Sequence, residues 1–154
     1  MALPARAATV YRLASVSKPI TAVAVLQLAE RGVLELDAPI QKIVPGFPEK
    51  AWPVSARQLL GHLGGVRHYR EDEPTNTSPC AAMECSLGFF KDDPLVVEPG
   101  SRFVYSTYGY SLLGAAIEGA AGRPYLEYLR QAVFEPAGMA SIRPDEVRPL
   151  IPNR

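Results

Sequence analysis

Apolar residues crowd into two long stretches of the chain and several short ones, and their spacing predicts helices. From Ile20 to Ala29 the residues Ile20, Ala22, Val23, Ala24, Val25, Leu26, Leu28 and Ala29 cover every face of a helix, while Gln27, Glu30 and Arg31 gather at its far end. A helix apolar all round is a buried one. This segment is therefore expected to be the central helix, with Gly32 free to take the left-handed conformation that closes it. Leu112, Leu113, Ala116, Ile117 and Ala120 recur at helical spacing and predict a strong amphipathic helix ended by Gly122. Pro124 then starts a further helix with Leu126, Leu129 and Val133 inward, ended by Glu135-Pro136 and Gly138.

Shorter elements lie between. Val33 to Leu36 alternates only weakly, and Asp37 is placed to cap a short helix from near Pro39 that turns Ile40, Ile43 and Val44 inward before Pro45-Gly46 stops it. Ser55 with Gln58 three residues on forms a capping box ahead of Leu59, Leu60 and Leu63, so a second short helix is expected to run to Gly64-Gly65. From Val66 to Arg102 the chain is polar and broken by Pro74, Pro79, Pro94 and Pro99, with only Met83, Leu87 and Phe90 suggesting a helix over 81–91. Connections of this length are lids, binding loops or disordered segments. Phe103 to Tyr105 reads as extended, and Ser141 to Arg154 has three prolines and no period. With no internal repeat and hardly any strand, the chain reads as mainly α.

Composition narrows the function classes. At 154 residues the chain can bury a real core as one domain or part of one. Its 16 basic and 16 acidic residues balance, so no strong field draws nucleic acid or acidic lipid. The run from Ile20 to Ala29 is about half the length of a membrane span, so no segment is expected to cross a bilayer. Met1 to Thr9 holds one Arg and no apolar core and does not read as a signal peptide. Cys80, Cys85, His62 and His68 could supply four zinc ligands, but their spacing matches no common pattern and no metal is expected. A helix over 81–91 would set the two sulfurs more than a turn apart with diverging Cβ directions, which predicts free thiols.

The candidate chemistry stands ahead of the first apolar stretch, in Ser15-Val16-Ser17-Lys18. If Ser15 opens the helix, Lys18 lies one turn on, and residues three apart on a helix have Cβ atoms about 5–6 Å apart. A serine hydroxyl is a weak nucleophile until a neighbouring base takes its proton, and a lysine can serve where burial or another cation disfavours its charge. First-turn N–H groups would also favour negative charge beside Ser15. By itself the motif is better read as a plain cap, with Ser15 or Ser17 covering the end of a core helix and Lys18 in water.

Two later stretches reverse that preference. Ala14-Ser15-Val16-Ser17-Lys18, then Leu59-Leu60-Gly61-His62-Leu63-Gly64-Gly65-Val66, then Glu98-Pro99-Gly100-Ser101-Arg102-Phe103-Val104-Tyr105-Ser106-Thr107-Tyr108-Gly109-Tyr110, follow the order and approximate spacing of one superfamily. They resemble the serine β-lactamase and penicillin-binding-protein-like superfamily, and within it the class C β-lactamase-related hydrolases. The branch of mitochondrial serine β-lactamase-like proteins is the most similar, through His62-Leu63 with Arg67-His68-Tyr69, Lys91-Asp92-Asp93-Pro94-Leu95 and Tyr105-Ser106-Thr107. The resemblance runs from about Tyr11 to Arg154.

The resemblance implies the α/β serine β-lactamase-like (DD-peptidase) fold, with residues 1–154 forming a single partial domain. That domain would be the mainly α helical lobe, with most of the antiparallel sheet missing. The resemblance also implies that Ser15 is the acylated nucleophile, Lys18 its proton acceptor, and Tyr105 the tyrosine of a Tyr-x-Asn motif that shuttles a proton to the leaving group. Ser106 and Thr107 would then face substrate. An isolated Tyr105 would read as an ordinary buried aromatic; beside a matched Ser-x-x-Lys it does not.

Two departures stand out. Thr107 replaces the motif's usual Asn and offers a hydroxyl without an amide, a change shared by the resembled mitochondrial branch, which is associated with peptide substrates more than with antibiotics. No Lys-Thr-Gly or His-Thr-Gly follows Thr107; in the family that motif lies on a strand whose backbone supplies an oxyanion-hole N–H, and losing one such donor costs about 2.7–4 kcal/mol. The expected function is hydrolysis of amide, peptide or ester bonds through an acyl-enzyme on Ser15, without a cofactor, on a small-molecule or peptide substrate. The alternative is a truncated, non-catalytic scaffold or assembly module that self-associates through its sheet-facing surface. Members of the family are periplasmic, secreted or mitochondrial, and the residues of this chain do not choose among these.

Overall fold

The computed structural model describes residues 4–7, 9–73 and 82–145. Five α-helices form there: α1 (Ser17–Glu30), α2 (Ala56–Leu60), α3 (Met83–Leu87), α4 (Thr107–Ala121) and α5 (Tyr125–Leu129). A 3₁₀ turn, Ala14–Val16, runs into α1, a second covers Ile40–Lys42, and a turn of π-helix, Arg130–Phe134, prolongs α5. Among the described residues there is no β-strand, only an isolated antiparallel bridge between Pro39 and Ser55. The mainly α helical-lobe architecture expected from the sequence is the one observed.

The hub is α4. Leu112, Leu113, Ala116 and Ile117 are fully buried, and α1, α2, α3 and α5 all pack on this helix. The central place expected for α1 is thereby corrected. Thr21, Ala24, Val25 and Leu28 of α1 are buried, but Val16, Val23 and Leu26 stand 62%, 46% and 50% exposed. Their spacing of seven and three residues puts them on one side of the helix. Continuous apolar character therefore marked a helix that covers its partners with one face and leaves the other bare. Polar contacts fix the covered face: Thr21 Oγ1 and Tyr125 Oη lie 2.7 Å apart, and Gln27 Nε2 donates to Ala132 O at 3.0 Å.

Several boundaries moved for identifiable reasons. Asp37 caps no helix; it takes a bidentate pair from Arg57 at 2.6 and 2.9 Å, and the expected helix after Pro39 is only the 3₁₀ turn. The capping box at Ser55 is formed in both directions. However, α2 ends at Leu60 because His62 adopts φ +57°, so Leu63 lies beyond it. Leu126, expected inward, is 49% exposed, and Tyr128 takes the buried position at 4%.

Helix α3 covers 83–87 and not 81–91, because Ala82 is extended at its N-cap. Cys85 is disulfide-bonded, which corrects the expectation of free thiols; the single helix that argued against a bond does not form. Cys80 lies outside the described residues, as do 74–79, Ala81, and 146–154 of the aperiodic C-terminal stretch. The metal reading drew on that same set. Among the described residues no group of three His, Cys, Asp or Glu side chains is gathered to hold a metal, and no helix is long and apolar enough to cross a membrane.

Two devices hold the irregular segments to the helices. The Glu118 carboxylate accepts from Met83 N and from Tyr125 N, both at 2.9 Å, so one α4 side chain satisfies open N–H groups at the starts of α3 and α5. Residues 62–65 and 96–104 run antiparallel without forming a sheet: Val96 N donates to Gly65 O at 2.9 Å, Gly100 N to Leu63 O at 2.8 Å and Val104 N to His62 O at 2.8 Å. Gly65 makes this approach possible, since its φ is +70° and a Cβ there would stand 2.3 Å from Val97 O.

This contact generates a prediction with an internal control. Gly32 has nearly the same φ, +69°, but nothing within 4 Å of its missing Cβ. Gly32→Ala should therefore lose only the left-handed strain, about 1–2 kcal/mol. Gly65→Ala adds an overpacking cost of about 1–3 kcal/mol. Thermal unfolding should show Gly65→Ala melting several degrees below Gly32→Ala; equal melting temperatures would mean the 65–97 contact is soft.

Candidate active site

Three elements bring the sequence candidates together. Ser15 lies on the 3₁₀ turn ahead of α1 and not on the helix itself. Ala14, immediately before it, adopts φ +47°, a left-handed conformation that non-glycine residues avoid and that persists only when its surroundings impose it. Lys18 follows in the first turn of α1, and Tyr105 arrives on the extended approach to α4. The Ser15 hydroxyl and the Tyr105 phenol are 2.8 Å apart. Lys18 Nζ donates to Ser15 Oγ at 3.2 Å and to Thr107 Oγ1 at 3.3 Å, and sits 5.0 Å from the centre of the Tyr105 ring. Serine, lysine, tyrosine and threonine thus form one hydrogen-bonded cluster, although the chain separates its two halves by about ninety residues.

The electrostatics follow. The Lys18 ammonium, and after it the Ser15 hydroxyl, hold the Tyr105 phenol below its ordinary range, against the opposing effect of burial. A phenol so placed gives its proton up more readily and so spends more time as the phenolate, the form able to accept one. Ser15 is exposed and Tyr105 is 39% exposed, so the pair stands at the surface and is open to a substrate.

Ser106, expected at the substrate, is 3% exposed and occupied within the protein. Its Oγ accepts from Gly109 N at 2.8 Å, which caps α4, and donates to Arg67 O at 2.7 Å. Its side chain does not line the cluster; Thr107, one residue on, does.

Two histidines complete the arrangement, and no reading of the sequence gave them this place. His62 Nδ1 accepts from Ser106 N and His68 Nδ1 from Thr107 N, both at 3.1 Å. The ring of His62 packs on Tyr105 with centroids 4.5 Å apart, and that of His68 meets it edge-on at 5.4 Å. Burial, and secondarily the charge of Lys18, push both imidazoles below their ordinary pKa. Tyr110 closes the far side: its ring centre lies 5.2 Å from that of His62, its hydroxyl donates to Leu60 O at 3.0 Å, and burial raises its pKa.

A second cluster lies behind the site. Arg67, with an 11% exposed side chain, forms a bidentate pair with Glu73 and a further bond of 2.5 Å to Asp93, donates to Phe89 O at 2.6 Å, and lies 5.1 Å from the Tyr108 ring centre. Hydrogen bonding from Arg67 holds Glu73 down at about 2, and burial with the Glu73 carboxylate pushes Tyr108 up to about 12. These groups brace the floor of the loop, and Lys18 is the cation in contact with Ser15.

The chain as a whole is similar to known proteins. The β-lactamase family model matches residues 2–150. The chain is 32% identical to the mitochondrial serine β-lactamase-like protein LACTB of Homo sapiens across 99% of its own length and 40% of that protein. It is also 32% identical to esterase EstB of Burkholderia gladioli across 88% of its length and 38% of the esterase. The crystal structure of a penicillin-binding protein from Bacillus halodurans superposes with a TM-score of 0.71 at 33% identity, over 80% of this chain and 38% of that one. The chain thus spans about two-fifths of the length of these relatives. The match of the family model over residues 2–150, on a helical framework shared with these proteins, makes this chain a member of the β-lactamase family of serine hydrolases.

Proposed function

We propose that this chain carries the nucleophilic half-site of a β-lactamase-related serine hydrolase that cleaves amide, peptide or ester bonds through an acyl-enzyme on Ser15. The observation that carries the reading is the 2.8 Å contact between Ser15 Oγ and Tyr105 Oη, with Lys18 Nζ at 3.2 Å from the same serine oxygen. Ser15 Oγ attacks the substrate carbonyl while its proton passes to the Tyr105–Lys18 pair. Collapse of the tetrahedral adduct breaks the bond to the amine or alcohol, which leaves with that proton. Water then attacks the acyl-enzyme, its proton taken by the same pair, and releases the acid and free Ser15. Thr107 is the proposed substrate-facing residue, its hydroxyl already oriented by Lys18. No cofactor is needed for these steps. Self-association remains part of a second reading, a non-catalytic module, which is favoured by the bare side chains of Val23 and Leu26 on α1 and of Val16 just before it.

A fluorophosphonate should modify the folded protein at Ser15 and leave Ser15→Ala unmodified. Tyr105→Phe, which removes the proton acceptor nearest the nucleophile, should slow the modification by about 10²-fold or more. A folded protein that takes no label, or a Tyr105→Phe rate equal to that of the parent, refutes the acyl-enzyme reading. The module reading is tested separately by sedimentation, and a monomer without affinity for a hydrophobic dye removes its basis.

Thr107 sets a further expectation. Asparagine at 107 can still accept from Lys18 through its amide oxygen and adds an N–H₂ donor towards substrate. Thr107→Asn should raise turnover of a chromogenic cephalosporin over the parent, and unchanged or lower turnover would show that this position does not direct substrate choice.

A further inference from the structure

We propose that His62 and His68 act as a two-imidazole clamp that positions Tyr105 against Ser15 only while both rings are neutral, so that they are the acid-side switch of the site. The bonding pattern carries this. His62 holds the chain on both sides of Tyr105: its main-chain oxygen accepts from Val104 N at 2.8 Å and its Nδ1 accepts from Ser106 N at 3.1 Å. His68 Nδ1 takes the next N–H, that of Thr107, at 3.1 Å. The two rings also contact the Tyr105 ring, leaving the phenol oxygen to face Ser15.

A ring nitrogen that accepts from a backbone N–H carries no proton, so each imidazole must be the Nε2–H tautomer. Protonating Nδ1 sets one donor against another and places a second positive charge near Lys18. The titratable and charged groups facing the two rings are Lys18 from α1, Tyr105 and Tyr110 at α4, Tyr69 and Arg67 beside His68, and each histidine towards the other. Burial first, then the charge of Lys18 and, for His62, that of His68, oppose a further proton. The unfolded chain therefore binds protons at these sites before the folded one does. Stability is retained above the usual imidazole pKa, about 6.5, and is lost as the pH falls below it. His62 also sits at φ +57°, a region where His and Asn are tolerated better than most residues. Asparagine can therefore replace it there, with Oδ1 standing in the place of Nδ1.

The functional half of this inference rests on the acyl-enzyme reading of Ser15, and the experiment separates the two. His62 and His68 are the only histidines, so ¹⁵N-histidine spectra of the full chain contain two ring systems. Both should be Nε2–H tautomers at neutral pH and titrate below the free imidazole. A fluorotyrosine signal, assigned to Tyr105 by loss in Tyr105→Phe, should shift on acidification with a midpoint matching a histidine. The fluorophosphonate rate at Ser15 should fall about tenfold or more across that midpoint. His62→Leu should lose about as much at neutral pH while keeping its helical circular dichroism. His62→Asn should restore most of that rate and carry it to lower pH.

An Nδ1–H tautomer in either ring overturns the clamp. So does a Tyr105 signal indifferent to histidine titration, or a His62→Leu rate no slower than the parent. Both tautomers and the linked Tyr105 shift, found with a Ser15 unreactive at every pH, would uphold the clamp and refute the hydrolase reading.

Discussion

The buried hydroxyl of Ser106 couples the regular and the irregular parts of this protein. It accepts from Gly109 N and donates to Arg67 O, so one oxygen both caps α4 and fastens that helix to the loop beginning near residue 66. With 3% of the residue exposed, no water can replace either partner, and stranding a buried polar group costs about 1–3 kcal/mol. The register of α4 follows from this point. Tyr105 lies just before the cap and Thr107 just after it, so both are delivered to Lys18 by a hydrogen bond that touches neither.

The charges are arranged in two tiers. Arg67 gathers Glu73 and Asp93 behind the loop in pairs too enclosed to behave as surface salt bridges; Arg70 adds a longer contact of 3.3 Å to Asp93. Breaking one member of such an enclosed group leaves an uncompensated charge, so the loop keeps one geometry. In front, the cation of Lys18 meets hydroxyls and aromatic rings. A single ammonium therefore acts on Ser15, Tyr105 and Thr107 together and lowers the pKa of the Tyr105 phenol.

The same lobe leaves much of its working surface open. Ser15 stands at the surface beside Val16, and the exposed apolar side of α1 continues from there through Val23 and Leu26. The protein shares its helical framework with relatives more than twice its length. Within that framework it brings Ser15, Lys18 and Tyr105 into one hydrogen-bonded cluster.

Much was legible in the sequence for local reasons. Helical spacing marked α4, Ser55 with Gln58 marked the start of α2, and the three ordered motifs pointed to Ser15, Lys18 and Tyr105 as residues to look for together, which the fold does bring into contact. The side of α1 left bare, the shift of buried position from Leu126 to Tyr128, the bonded state of Cys85, and the capping role of Ser106 were not legible. Each depends on what another segment presents across space. His62 and His68 show this most plainly. Their local pattern matched a family motif and could at most have been ligands for a metal, and only folding placed their ring nitrogens at the backbone N–H groups of 106 and 107. A hydrogen bond between residues some forty apart is decided by packing, on which sequence periodicity carries no information.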